Sequence, residues 1–374
     1  MKINNIIEKS DQFINKLETS KGFKLFERSE TSPFARCFVI FTKFLTKKND
    51  WLENRKHFLI NDLNTDLYNL YKKKMESTIE WKFDKSFLQL YCFTLSSLNI
   101  LNGQLSDQNL KILNEILDIN IKDNLKKKGV DEGISKSGNY SMFLAIFNIY
   151  ANSYLKIDRN RQIQEWLDFN LNSINSNGFW GRKINMDYLQ FQNGYHQYEI
   201  FEFLDFEKAS WDKAAKKTLL MSDKLGHFAP WPGGGGCYDY DAVFMLTSKF
   251  VNNVGQESIL KKTLNSIIKE QNLDGGFCES KYMKKNIFIK FFNMMKHILS
   301  QPKDVKIWSL FVNLNLLRYK NRNIITHWTP TDRNWDESNV WDTFFRLSTI
   351  YRICKRLNLN EKNLFKINNF PGIG

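Results

Sequence analysis

The residues that punctuate or staple a chain are scarce here. Only 6 Pro and 18 Gly occur in 374 residues, too few for a collagen-like, linker-rich or low-complexity protein. The five cysteines, Cys37, Cys92, Cys237, Cys278 and Cys354, stand far apart with no Cys-x-x-Cys pair, which argues against a disulfide framework or a zinc ribbon. No run of about 18 apolar residues is present, so a membrane-spanning helix is not expected. The first segment, MKINNIIEKSDQFINKLE, intersperses charges among its apolar residues and does not read as a secretory leader. Strict apolar–polar alternation closed by tight turns is missing, which leaves little room for sheet. Metal-ligand spacing is missing too: no pair of histidines lies one helical turn apart, and no Asp-Asp-x-x-Asp motif occurs, so neither a metal nor a cofactor is implied.

What is present is apolar and basic. Hydrophobic residues make up 42% and aromatic residues 15%, enough for a large core. Tyrosine and tryptophan carry polar atoms that need partners, so 14 Tyr and 10 Trp hint at a lined cavity. Lys and Arg outnumber Asp and Glu by 54 to 40, a net charge of +14. The lysine clusters are scattered and no nucleic-acid-binding module accompanies them, so a solvated surface is expected and nucleic acid is not a partner. These features suit a cytoplasmic protein, soluble or attached peripherally to the inner face of the membrane; nothing in them sets an oligomeric state.

Helical periodicity dominates, so the expected class is all-α. Apolar helices start after small or polar residues at Ser32-Pro33, Ser86-Phe87, Asn139-Tyr140, Gly194-Tyr195, Cys237-Tyr238 and Asn339-Val340. The intervals are close to 53, 53, 55, 43 and 102 residues, the last being two units. A period near 50 accommodates two helices and two connections, an α-hairpin. More amphipathic segments, Ile163–Ile174 and Ser258–Gln271, alternate with the apolar ones. Six to seven hairpins closing an α/α toroid, as a single domain over residues 1–374, is the expected architecture, with the starts of the inner helices converging on one mouth.

Within this pattern, Gln271-Asn-Leu-Asp-Gly275-Gly276-Phe277 reads Q-x3-G-x-F. It is similar to the QW repeat of squalene-hopene cyclases and the related protein prenyltransferases. Trp166-Leu167 followed by Gly178-Phe179-Trp180-Gly181 resembles a second, degenerate copy. The resemblance implies the toroid fold, with the glutamine capping helix ends and the aromatic residue packed between hairpins.

The sharpest constellation runs from Gly226 through Gly233-Gly234-Gly235-Gly236 to Cys237-Tyr238-Asp239-Tyr240-Asp241-Ala242. Four consecutive glycines mark a tight bend or a close backbone approach, and the first turn of the helix that follows favours a carboxylate. Asp239-Tyr240-Asp241 resembles the D-x-D-D acid motif of class II terpene cyclases. The resemblance implies that Asp241 protonates an alkene or epoxide of a hydrophobic or prenyl substrate, with Asp239 as its electrostatic neighbour and aromatic faces stabilising the cation. The fourth position of the motif is Ala242, a departure from the pattern.

Other helix starts supply polar groups. His196 and Glu199, three apart, share a helical face on which the carboxylate can orient the imidazole. Asp342 and Arg346, four apart, can pair within one helix. Arg36, Asn139, Tyr195, His227, Trp231, Tyr238, Tyr240 and Trp341 complete a candidate substrate-binding rim. The same rim suits a second reading, a carbohydrate-active toroid in which Asp239 or Asp241 with Glu199 does acid–base work on a surface glycan or sugar-lipid. A third is a noncatalytic toroid that binds lipid or protein. Finally, Phe288, Phe291, Phe292, Met295, Ile298 and Leu299 form a stripe within residues 281–300, flanked by Lys281, Lys284, Lys285, Lys290 and Lys296. This basic amphipathic insertion is a candidate for peripheral membrane contact.

Overall fold

The computed structural model describes residues 3–77, 80–181, 188–284, 286–368 and 370–372. It is mostly helical, with fifteen α-helices and two short hairpins among these residues. The chain divides into two compact units. One holds Met1–Lys47, Asn185–Tyr188 and Trp211–Ile367; the other holds Lys48–Ile184, Leu189–Ser210 and Asn368–Gly374.

Helices α1 (Ile3–Lys16) and α2 (Pro33–Leu45) open the first unit, with the hairpin β1 (Glu18–Thr19) and β2 (Gly22–Phe23) between them. The second unit contains α3 (Asn49–Ser77), α4 (Lys85–Ile100), α5 (Asp107–Leu117), α6 (Ile121–Lys127), α7 (Ser137–Ser153), α8 (Asn160–Asn172) and, past Tyr188, α9 (Tyr188–Phe203). The chain returns to the first unit through α10 (Trp211–Leu219), α11 (Gly236–Thr247), α12 (Glu257–Glu270), α13 (Ile287–Ser300) and α14 (Lys303–Leu316). An antiparallel hairpin, β3 (Ile324–Thr326) and β4 (Thr329–Arg333), then leads into α15 (Val340–Arg356).

Five of the six expected helix starts fall within two residues of an observed one, because local chemistry sets them. Pro33 occupies the first turn of α2, where a missing N–H costs nothing. Asp84 caps α4 by accepting the Phe87 N–H, and Asn339 caps α15 by accepting the Asp342 N–H. The sixth is a correction. Gly194 lies inside α9, which begins at Tyr188. A Cβ there would overlap the Phe179 ring, so this glycine serves close packing and does not break the helix. The β3–β4 hairpin is a second departure, since no alternating pattern announced it.

The Gln271 segment behaves as a clasp in the first unit. At the C-terminal end of α12, the Gln271 amide donates to the Ile6 carbonyl of α1 and to the Gly275 carbonyl of its own loop, at 2.9 and 2.8 Å. Phe277 is buried and its N–H donates to Thr343 Oγ1 of α15. In the second unit, Trp166 and Trp180 are buried, and their indole N–H groups donate to the Ser141 and Asn170 carbonyls.

In the first unit α15 packs between α11 and α2. Trp341 meets Trp328 at 4.2 Å, Phe345 at 4.4 Å and Phe38 at 4.7 Å between ring centroids, and Phe345 meets Tyr240 at 5.0 Å. Part of the aromatic excess is therefore core. Gly194→Ala is expected to destabilise the protein by about 1–3 kcal/mol through overpacking against Phe179, measurable as a lowered urea midpoint.

Candidate functional site

The tetraglycine loop of the first unit lies against acidic side chains. A Cβ on Gly234 would overlap the Asp239 carboxylate, one on Gly235 would overlap Glu279, and one on Gly236 would overlap Asp342. A Cβ on Gly233 would strike the Tyr282 ring. Gly233 and Gly234 also have φ of +83° and +67°, the left-handed region that glycine enters freely. The loop thus covers the start of α11 with bare backbone.

Beneath it are two charge clusters. In the first, Asp239 Oδ2 accepts from His227 Nδ1 at 2.9 Å and from Arg346 Nη1, while Oδ1 accepts the Phe228 N–H at 2.8 Å. Glu270 places one oxygen 2.9 Å from His227 Nε2 and the other 3.7 Å from Arg346 Nη2. Arg346 also donates to the Gly233 carbonyl at 3.1 Å. Burial disfavours the ionised form of Asp239, but His227 and Arg346 outweigh it and hold the carboxyl below its ordinary range. Burial likewise works against the His227 imidazolium, yet Glu270 and Asp239 raise its pKa well above the usual value. Two cations and two carboxylates balance.

In the second cluster they do not. Arg333 Nη2, brought by β4, donates to Glu279 at 3.1 Å and to Asp342 at 3.2 Å, and Asn339 also donates to Asp342. One guanidinium faces two buried carboxyls. Burial first, and the Asp342 charge second, push Glu279 up to about 8, which favours its protonated form near neutral pH. Burial raises the Cys237 thiol, with Asp241, Glu279 and Asp342 adding to it, and Tyr238 is raised by burial and then by Cys237, Asp241 and Glu279. Asp241 and Glu279 therefore act on the same two groups. Cys237 is partly accessible, whereas Asp239 and Asp342 are fully buried.

The predicted residues sort accordingly. Asp239, Asp241, His227, Trp231, Tyr238, Tyr240, Trp341, Asp342, Arg346 and Arg36 all belong to the first unit. Trp231 stands edge-on to Tyr238 at 5.1 Å and to Trp335 at 5.3 Å, and its indole N–H donates to the Gly234 carbonyl. Arg36 is buried in α2 beside Gly22. The expected pairing of Asp342 with Arg346 within α15 is corrected: each finds its ionic partner in another segment, Arg333 and Asp239 respectively. The second unit holds His196, Glu199, Asn139 and Tyr195. There the expected His196–Glu199 contact gives way to others. His196 Nε2 lies 2.7 Å from Asn139 Nδ2, and Glu199 accepts the Gly372 N–H at 2.9 Å. Burial and, secondarily, Lys85 hold His196 down at about 3, so its imidazole is neutral.

Glu270, Glu279 and Arg333 escaped the sequence reading. Glu270 looks like a charged helix end, Glu279 follows the Gly275-Gly276-Phe277 turn, and Arg333 closes an unannounced strand. Only their burial marks them. Among the described residues, no group of three or more His, Cys, Asp or Glu is arranged to hold a metal ion. No protein-family model matches the chain, and no curated protein matches it.

Gly234→Ala is expected to cost about 2–4 kcal/mol, from left-handed strain plus overlap with Asp239. Gly255→Ala, with φ of +85° and nothing within 4 Å, is expected to show the strain alone, about 1 kcal/mol; denaturant midpoints of the two variants separate the contributions. The pH dependence has a definite sign. The unfolded chain releases the Glu279 proton near 4.5 but the fold keeps it to about 8, so this group costs stability as pH rises between those values. Glu279→Gln is expected to flatten that slope in urea titrations across the same range. A steeper slope in the variant would contradict the assignment.

Proposed function

We propose that the first unit carries a general acid–base site, with Glu279 as proton donor and Asp241 as the second carboxylate, acting on a glycan or sugar-lipid. The observation that supports this is the burial of Glu279 beneath Gly235, where it shares the single Arg333 guanidinium with Asp342, an arrangement that raises its pKa and favours the protonated form. A carboxylic acid that releases its proton near 8 suits transfer to a leaving oxygen. It is far too weak to protonate an isolated alkene. Asp239 is no better a donor, because His227 and Arg346 keep it ionised. Trp231 is partly exposed and packs against Tyr238, which follows the partly accessible Cys237 in the chain, and aromatic side chains of this kind can stack on sugars. The Glu199 of the expected acid pair is replaced in this reading by Glu279.

The isoprenoid cyclase remains the second reading, supported by the clasp that Gln271 and Phe277 make and by the Asp239-Tyr240-Asp241 sequence. It requires Asp241 as the acid. Both readings take the helices as the repeated α-hairpins of an α/α toroid, which agrees with the five helix starts found where the repeat put them.

Wild type, Glu279→Gln and Asp241→Asn are to be incubated with nitrophenyl glycosides and lipid-linked sugars, and separately with squalene and prenyl diphosphates. The expected outcome is glycoside turnover reduced about 100-fold or more in Glu279→Gln. The wild-type rate should fall as pH rises through 8, where the donor form is lost. Prenyl or squalene turnover that survives Glu279→Gln and is lost in Asp241→Asn would replace this reading with the cyclase. Unchanged substrates in both panels would leave only a binding role.

A further inference from the structure

Residues 281–323 contain ten Lys or Arg and a single Asp, a surplus of nine within a chain whose total is +14. The same segment exposes its large apolar side chains. On α13, Phe288 is 81% and Phe292 69% exposed, and on α14 Phe311 is 63% exposed; Leu299 and Ile307 are similarly bare. The α13–α14 pair therefore presents an unpartnered apolar face set among cations. Of the stripe expected from the sequence, Ile298 alone is buried. Lys285 lies outside the described residues.

Next to this face is a cavity of about 380 Å³, walled by the start of α13, the segment after α14 and residues Asn334–Asp336. Lys284, Lys290, Lys320 and Arg322 line it, with Asp332 and Asp336 as the acidic members. Asp332 is engaged by the Asn323 amide. Lys290 is only 3% exposed; its ammonium donates to the Leu316 carbonyl and lies 5.8 Å from the Trp335 ring centroid. Trp335 is buried too, lines the same cavity, and its indole N–H has no hydrogen-bond partner. Buried donors with spare capacity beside a cation cluster are what a phosphate group takes up. Burial and, secondarily, Arg322 lower Lys290 to about 8, so an anion in the cavity would favour its charged form.

We propose that this cavity binds the phosphate headgroup of an anionic phospholipid while the α13–α14 face rests in the apolar layer of the bilayer. Charge selects this occupant over a second copy of the chain, since two surfaces with the same surplus of nine positive charges repel. The proposal is independent of the acid–base reading, because Glu279 takes no part in it.

The test uses the full chain with vesicles of phosphatidylcholine alone and of phosphatidylcholine mixed with phosphatidylglycerol, followed by sedimentation at low and high salt. Binding is expected only to the mixed vesicles, weakened by salt. Phe292→Ser/Phe311→Ser and Lys320→Ala/Arg322→Ala, all surface changes, are each expected to weaken it about tenfold or more, with unchanged circular dichroism. Equal binding to both vesicle types, no binding to either, or wild-type binding by both double variants would overturn the proposal. Calorimetric binding of inorganic phosphate without vesicle binding would assign the cavity to a free phosphate compound instead. Light scattering that shows a stable dimer, dissociated by Phe292→Ser/Phe311→Ser, would assign the face to self-association.

Discussion

Arg346 is the group on which the first unit depends. Its guanidinium joins Asp239 on α11, Glu270 at the end of α12 and the Gly233 carbonyl of the glycine loop, so one side chain of α15 ties three segments together. Buried charges are tolerated only when their pairing and hydrogen bonding are complete, and removing one partner leaves the others exposed to the full desolvation penalty. His227 completes the balance from the opposite side. Its own backbone is held by Asp223, which accepts the His227 N–H at 2.9 Å and donates its own N–H to the His227 carbonyl. The Asp223 carboxylate meets His297 of α13 at 3.4 Å, so the ionic system extends from α15 towards the helix whose outer face is apolar.

The two clusters differ in one count. Balanced charge leaves Asp239 and Glu270 matched to His227 and Arg346. Unbalanced charge raises the pKa of Glu279. The distinction follows from which cations each segment delivers. Arg333 arrives alone on β4. A second cation beside it would lower the Glu279 pKa towards the ordinary carboxylate range.

Much of the helical framework could be read from the chain, because caps and proline act locally. Ser32-Pro33 and Asn339 mark helix starts through their own backbone and side-chain chemistry. Gly194 misled because its reason is tertiary: the space it leaves is filled by Phe179. The site was half legible. His227, Asp239, Asp342 and Arg346 drew notice through the glycine run and the helix starts beside them, but Glu270, Glu279 and Arg333, which pack with them, did not. Arg346 and Asp342 satisfied the local rule for an i,i+4 pair, yet neutralising buried carboxylates on other elements outweighs a surface-type pairing worth about 0.2–0.5 kcal/mol. Glu270 and Glu279 look like solvated charges in sequence, and only the packing of α12 and the loop after it makes them otherwise.

The glycine run has a consequence for how such a chain can diverge. At Gly235, with φ of −139°, the Glu279 carboxyl is the main obstacle to a side chain, and the Trp231 ring would have to give slightly. An alanine there is eased once residue 279 shortens, and Gly236 is coupled to the Asp342 carboxyl, although the Asp342 Cα stays close whatever its side chain. Gly233 and Gly234 have less release, because their left-handed backbone adds a strain to any other residue whatever faces them. Drift through this loop is therefore asymmetric: two positions change most easily in step with an acidic residue 44 or 106 places away in the chain, and two carry a backbone strain besides. Paired substitutions at 235 with 279, or at 236 with 342, would be the historical trace of this packing in any set of diverged sequences.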